Sequence, residues 1–70
     1  MNEWQELMSK LTPKERQVIE AIKKNPGLTV NGVSQQVGLK RDAAKFHLYN
    51  AYNKLQVGSR PELIAKLAKE

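Results

Sequence analysis

Val30–Leu55, VNGVSQQVGLKRDAAKFHLYNAYNKL, decides the fold. The stretch reads as a short helix, a tight turn and a longer helix. Val33 and Val37 stand four residues apart in the first run, with the small Ser34 beside Val33. Gly38 then breaks the pattern, because glycine can adopt the left-handed conformation that ends a helix. In the second run Ala44, Leu48, Ala51 and Leu55 recur at i, i+4, i+7 and i+11, one apolar stripe at helical period. A small residue at Ser34 and a short turn let two helices cross closely at a steep angle, the helix-turn-helix arrangement. The second helix then shows its other face to whatever the protein binds.

Helix signals continue on both sides. Upstream, Thr12-Pro13-Lys14-Glu15 is a strong start: threonine caps, proline suits the first helical position, and Glu15 reaches back as a capping box. That helix turns Val18, Ile19 and Ile22 inward and ends near Asn25-Pro26-Gly27, where Pro26 forbids continuation. Leu28 is expected to pack inward, and Thr29 to cap the next helix, which Gly32 weakens in its first turn. Further upstream, Trp4, Leu7, Met8 and Leu11 share one face of a short helix that Asn2 can cap. A helix this short is marginal unless it docks on a core. Trp4 either anchors it on the domain or stands exposed on a partner-binding arm.

Lys40 occupies the cap position before the long helix, a poor cap by about 1 kcal/mol. Asp42, in the first turn, offsets part of this through the helix dipole. After Leu55 come the loop Gln56-Val57-Gly58, a second capping box over Ser59-Arg60-Pro61-Glu62, and an amphipathic helix over Leu63–Ala68. No strand pattern, repeat or low-complexity tract interrupts this order. The expected class is all-α, four helices with a short additional one at the N-terminus. Residues 1–10 read as an extension and 11–70 as the domain.

Seventy residues bound this to one small domain. A chain so short buries only about 60% of its unfolded surface, which leaves little for a deep pocket. It has no cysteine, so no disulfide or thiolate site, and the expected location is the cytoplasm. No apolar run approaches the roughly 20 residues that span a bilayer. A membrane-surface role for the last helix is disfavoured, since only Lys66 and Lys69 enrich its polar face. Catalysis needs acids, bases or nucleophiles converging in a pocket. With one histidine, no cysteine and scattered acids, the chain does not read as an enzyme, and neither a metal nor another cofactor is expected.

The net charge is +5, and its placement matters more than its size. Residues 1–39 carry +1 and residues 61–70 carry zero. Residues 40–60 carry +4, from Lys40, Arg41, Lys45, Lys54 and Arg60 against Asp42 alone. A concentrated basic surface is the footprint of a polyphosphate partner, or else a solvated basic face. Its position on the exposed helix of a helix-turn-helix favours double-stranded DNA.

At roughly 100° per residue, Asp42, Phe46, Tyr49 and Asn53 point away from the apolar stripe, flanked by Lys45 and Asn50. In a major groove Phe46 can press on thymine methyls, while Lys45 and Asn50 can bond to base edges. The alternatives for Phe46 and Tyr49 are a protein contact or tolerated apolar surface. Asp42 either only favours the helix start or accepts from cytosine. Lys40, Arg41, Lys54 and Arg60 flank this face and suit phosphates, contacts that position a protein without specifying sequence. His47, at the border of the stripe, either bonds to a phosphate or sits between helices.

These residues together resemble a known family. Leu11–Ile19, LTPKERQVI, looks like the opening of the LuxR-type (GerE-type) helix-turn-helix domain. Lys45–Asn50, KFHLYN, resembles its recognition helix, and Lys54–Arg60, KLQVGSR, its closing segment. Three blocks in order over about residues 11–68 are specific. The resemblance implies a four-helix DNA-binding domain whose third helix, about 41–54 here, enters the major groove. It points to Lys45, Phe46 and Tyr49 at base-contacting positions, and to Thr29, Asn31, His47 and Lys54 at backbone-contacting ones. It also implies a homodimer through the last helix, with Leu63, Ile64 and Leu67 or their neighbours at the seam.

Several positions depart from the family pattern. Asn25-Pro26 looks like a two-residue insertion, Gly32 replaces a usual glutamate, and Lys40 a cap serine. Ala43-Ala44 replaces a Thr-Val pair, removing one DNA-contacting hydroxyl, and Gln56 replaces a glycine. The fold survives these changes, whereas the DNA preference is left open. The function expected is a sequence-specific transcriptional regulator, with RNA polymerase or a second regulator as further partners. The alternative is an interaction module of the same fold that pairs with another regulator and inhibits it. A sigma-factor promoter-reading domain is disfavoured by His47 and by the Lys54–Arg60 segment.

Overall fold

The computed structural model describes residues 3–69, and Asn2, expected as a cap, lies outside the described residues. These residues form α1 (Glu3–Ser9), α2 (Pro13–Lys24), α3 (Val30–Val37), α4 (Arg41–Leu55) and α5 (Arg60–Ala68), with no strand among them. Four helices of a helix-turn-helix domain and one short extra helix at the N-terminus are therefore what the chain builds.

Each boundary has a local cause. At the start of α2, the Glu15 N–H donates to Thr12 Oγ1 at 3.2 Å and the Thr12 N–H donates to Glu15 Oε1 at 3.0 Å. Both arms of the expected capping box are thus made. α3 is capped by Thr29, whose Oγ1 accepts from the Gly32 N–H at 3.0 Å. A methyl group on Gly32 would lie 2.6 Å from Leu28 Cδ1, so the glycine lets Leu28 fold down over the start of α3. Gly38 takes φ +71° and its N–H caps the Ser34 carbonyl, ending α3 as its glycine suggested. Lys40 makes no side-chain cap bond. At α5, Ser59 accepts from the Glu62 N–H, but Glu62 Oε2 accepts from the Gly58 N–H at 2.9 Å rather than from Ser59. The expected second box is therefore half a box. The extended backbone at Ser59 brings its predecessor's N–H to the carboxylate.

α2 lies at the centre, against α3, α4 and α5, while α1 packs on α4. Val18, Ile19 and Ile22 of α2 meet Val33, Leu55 and Leu63, all buried. Ser34 is buried where α3 packs on its neighbours, its hydroxyl satisfied by the Asn31 carbonyl at 2.7 Å. Trp4 is partly buried against the core beside Leu7 and Met8, so it anchors α1. Arg16 adds a polar tie, Nη2 donating to the Met8 carbonyl at 2.9 Å near the end of α1.

α4 ends at Gln56, which holds φ +59°, the one non-glycine residue with positive φ among those described. This is the position where a glycine is usual, because an L side chain crowds the left-handed region by about 1–2 kcal/mol. Part of that gain is offset by the larger unfolded-state entropy of glycine. Gln56→Gly is expected to stabilise the fold by about 0.5–1 kcal/mol, read as a higher urea midpoint at unchanged m-value.

Candidate nucleic-acid interface

The site is built on α4, and α4 has two opposite faces. Ala44, Leu48, Ala51 and Leu55 are buried, as their spacing requires, and Tyr52 is buried with them. On the other side Asp42, Lys45, Phe46, Tyr49 and Asn53 are exposed. Phe46 leaves 63% of its surface in water and Tyr49 52%, the two exposed large apolar side chains among the described residues. Asn50, flanking this face, is half-buried.

Ring contacts order the exposed side chains. Lys45 Nζ lies 5.8 Å from the centroid of the Tyr49 ring, a cation–π placement. The Tyr49 ring meets Tyr52 edge-on at 6.0 Å, and Phe46 meets His47 edge-on at 5.6 Å. Tyr52 is the residue that sequence reasoning passed over. Its i, i+3 spacing from Tyr49 and its place at the edge of the stripe were the available signals. It braces Tyr49 from the core side. Tyr49, Tyr52, Asn53 and Arg60 line an open groove of about 620 Å³ along α4.

The flanking residues divide into free and engaged. Lys40 and Arg41 are exposed at the start of α4, and Thr29 and Asn31 are exposed around the start of α3. The Thr29 hydroxyl already serves as a cap acceptor. His47 is half-buried, with Nδ1 enclosed and without a hydrogen-bond partner, which leaves Nε2 as its one candidate for an outside acceptor.

Lys54 and Arg60 have internal work. Lys54 Nζ lies 2.7 Å from Glu15 Oε1, an ion pair joining the end of α4 to the start of α2. Burial pushes the Glu15 carboxyl upward, but the Lys54 ammonium and the Thr12 N–H and hydroxyl outweigh this and hold it below its ordinary value. Arg60 Nη1 donates to the Leu28 carbonyl, just ahead of the Thr29 cap. Both cations thus orient the motif, a role their charge alone did not announce.

The expected seam residues are also split. Leu63 and Leu67 are buried in the core of their own chain, because the single apolar stripe of α5 is used to close it. Ile64 is partly buried. With Ile22, Lys23, Pro26, Leu67 and Ala68 it lines a groove between α2 and α5 that is apolar except for the lysine.

Among the described residues no group of three or more His, Cys, Asp or Glu side chains comes together to hold a metal ion. No helix among them is long and apolar enough to cross a membrane. What the fold and this face define is a helix-turn-helix domain with a basic, aromatic outer helix. The family model of bacterial regulatory proteins of the luxR family (GerE) matches residues 9–67, and the chain belongs to that family of DNA-binding regulators. No curated protein and no solved structure matches the chain significantly.

Proposed function

We propose that the protein is a sequence-specific DNA-binding transcriptional regulator that places α4 in the major groove. The observation that carries this reading is the solvent-facing side of α4, where Phe46 and Tyr49 stand exposed beside Lys45. An aromatic pair in water is unfavourable on a small domain, and the floor of a major groove gives it partners. Lys45, Phe46, Tyr49, Asp42 and Asn50 take the base edges. Thr29, Asn31, Lys40, Arg41 and His47 take the phosphates. Lys54 and Arg60 join them with the N–H donors left over from their internal bonds. Residues 11–70 act as the binding domain and α1 as a docked extension.

The protein acts as a homodimer through α5. Since Leu63 and Leu67 are buried, the seam centres on Ile64 and the apolar groove beside Pro26 and Ala68. The test is selection of the purified protein against a random duplex pool at about 100 mM salt, followed by sequencing. A two-fold symmetric motif is the expected result. Retention that is only salt-sensitive, with no enriched sequence, would mean phosphate binding alone and would overturn the reading.

A further inference from the structure

Building on the DNA-binding reading, we infer that Phe46 packs on the C5-methyl group of a thymine and so fixes one base of each half-site. The commonest specific contact in a major groove is an arginine or lysine bonded to both acceptors of guanine, the arginine fork matching them best. The chain has three arginines, Arg16, Arg41 and Arg60. Arg16 is bonded to the Met8 carbonyl and Arg60 to the Leu28 carbonyl. Arg41 is the first residue of α4 and lies to the side of the outward face at helical spacing. No guanidinium therefore stands on that face.

What stands at its centre is Phe46, the most exposed large apolar side chain among the described residues. Its neighbours differ in kind. Lys45 is drawn over the Tyr49 ring, and Tyr49 carries a hydroxyl and leans on Tyr52. Phe46 has no polar atom, and its ring meets that of His47 edge-on while most of its surface stays in water. Thymine alone among the four bases offers an apolar group in the major groove, its C5-methyl. The chemistry that recognises Phe46 is that methyl group, so each half-site carries a thymine at the position Phe46 reaches.

The test uses the duplex recovered by selection from the random pool. It is resynthesised with deoxyuridine for thymidine at one position at a time, which removes the methyl group and keeps the pairing edge. At one position per half-site, binding is expected to weaken about fourfold, the factor for one buried methyl group. Phe46→Ala should bind the thymine and uracil duplexes alike, and Phe46→Leu should restore most of the difference. Circular dichroism of both variants should be unchanged, because the replaced ring is exposed. Uracil duplexes that bind as tightly as thymine duplexes at every position would overturn the inference while leaving the DNA-binding reading standing. An undiminished thymine preference in Phe46→Ala would do the same. A pool that yields no enriched sequence overturns that reading, and this inference with it.

Discussion

Glu15→Ala is expected to lower the stability of the domain by about 2–3 kcal/mol, the sum of a lost arm of the capping box and a lost charge-assisted bond. One oxygen, Glu15 Oε1, accepts both from the Thr12 N–H and from Lys54 Nζ. Removing it breaks the reciprocal arm of the capping box and the tie to α4 together, while the Thr12 hydroxyl still caps the backbone N–H of residue 15. Lys54 is 36% exposed, so water screens part of its attraction, which keeps the expected loss at the lower end for a buried pair. For a domain of this size the melting temperature should fall by about 10–20 °C. Glu15→Gln keeps an acceptor and should lose about half as much.

The same carboxylate sets a pH dependence. Its folded-state pKa lies below the ordinary value of 4.5, so the unfolded chain binds the proton more readily. The stabilisation is therefore present above pH 4.5 and is lost as pH falls through the lower, folded value. Urea melts of wild type and Glu15→Ala should differ fully at pH 7 and converge in the acid range. A gap that stays constant down to pH 3 would show that the charge on Glu15 contributes nothing.

The second large effect belongs to binding. Lys45→Ala and Tyr49→Ala are each expected to weaken the specific complex by about 1–3 kcal/mol, with non-specific retention less affected. Both side chains are exposed, so each variant should melt within about 0.5 kcal/mol of wild type. The two touch through a cation–π contact, so the double variant should lose less than the sum. Fluorescence anisotropy on the selected duplex measures all three. If both single variants bound it as wild type does, the reading face would have to be sought elsewhere.

How far these residues were legible in the sequence depends on the range of the interaction that places them. The stripe Ala44, Leu48, Ala51 and Leu55, the caps at Thr12 and Thr29 and the stop at Gly38 are all local, and each stands where its spacing or chemistry put it. The outward set of Phe46 and Tyr49 follows from the same periodicity. Tyr52 was missed because a stripe drawn through small residues leaves its edges undefined, and only packing shows that α4 buries a ring there. The Glu15–Lys54 pair joins residues 39 apart in the chain, beyond any helical repeat. Arg60 and Leu28 are 32 apart. The basic segment 40–60 was thus readable as a charge, but not as charge partly committed to holding the motif in shape. Leu63 and Leu67 show the same limit, since one stripe cannot announce which of two partners it will cover.

The bond from Arg60 to the Leu28 carbonyl also bears on how DNA would be measured out. It ties the first turn of α5 to the segment entering α3, while Lys54 ties the end of α4 to α2. The helix proposed for pairing and the helices proposed for contact are thus tied to one another by side-chain bonds as well as by the shared core. On the proposed pairing, two domains so tied and joined through α5 would act as a caliper of fixed opening. Half-sites of a two-fold operator would then keep one separation, set by the turn of the duplex at about 10–10.5 base pairs or a multiple of it. Inserting about five base pairs at its centre would carry the second half-site to the opposite side of the duplex, where the second arm of the caliper cannot follow.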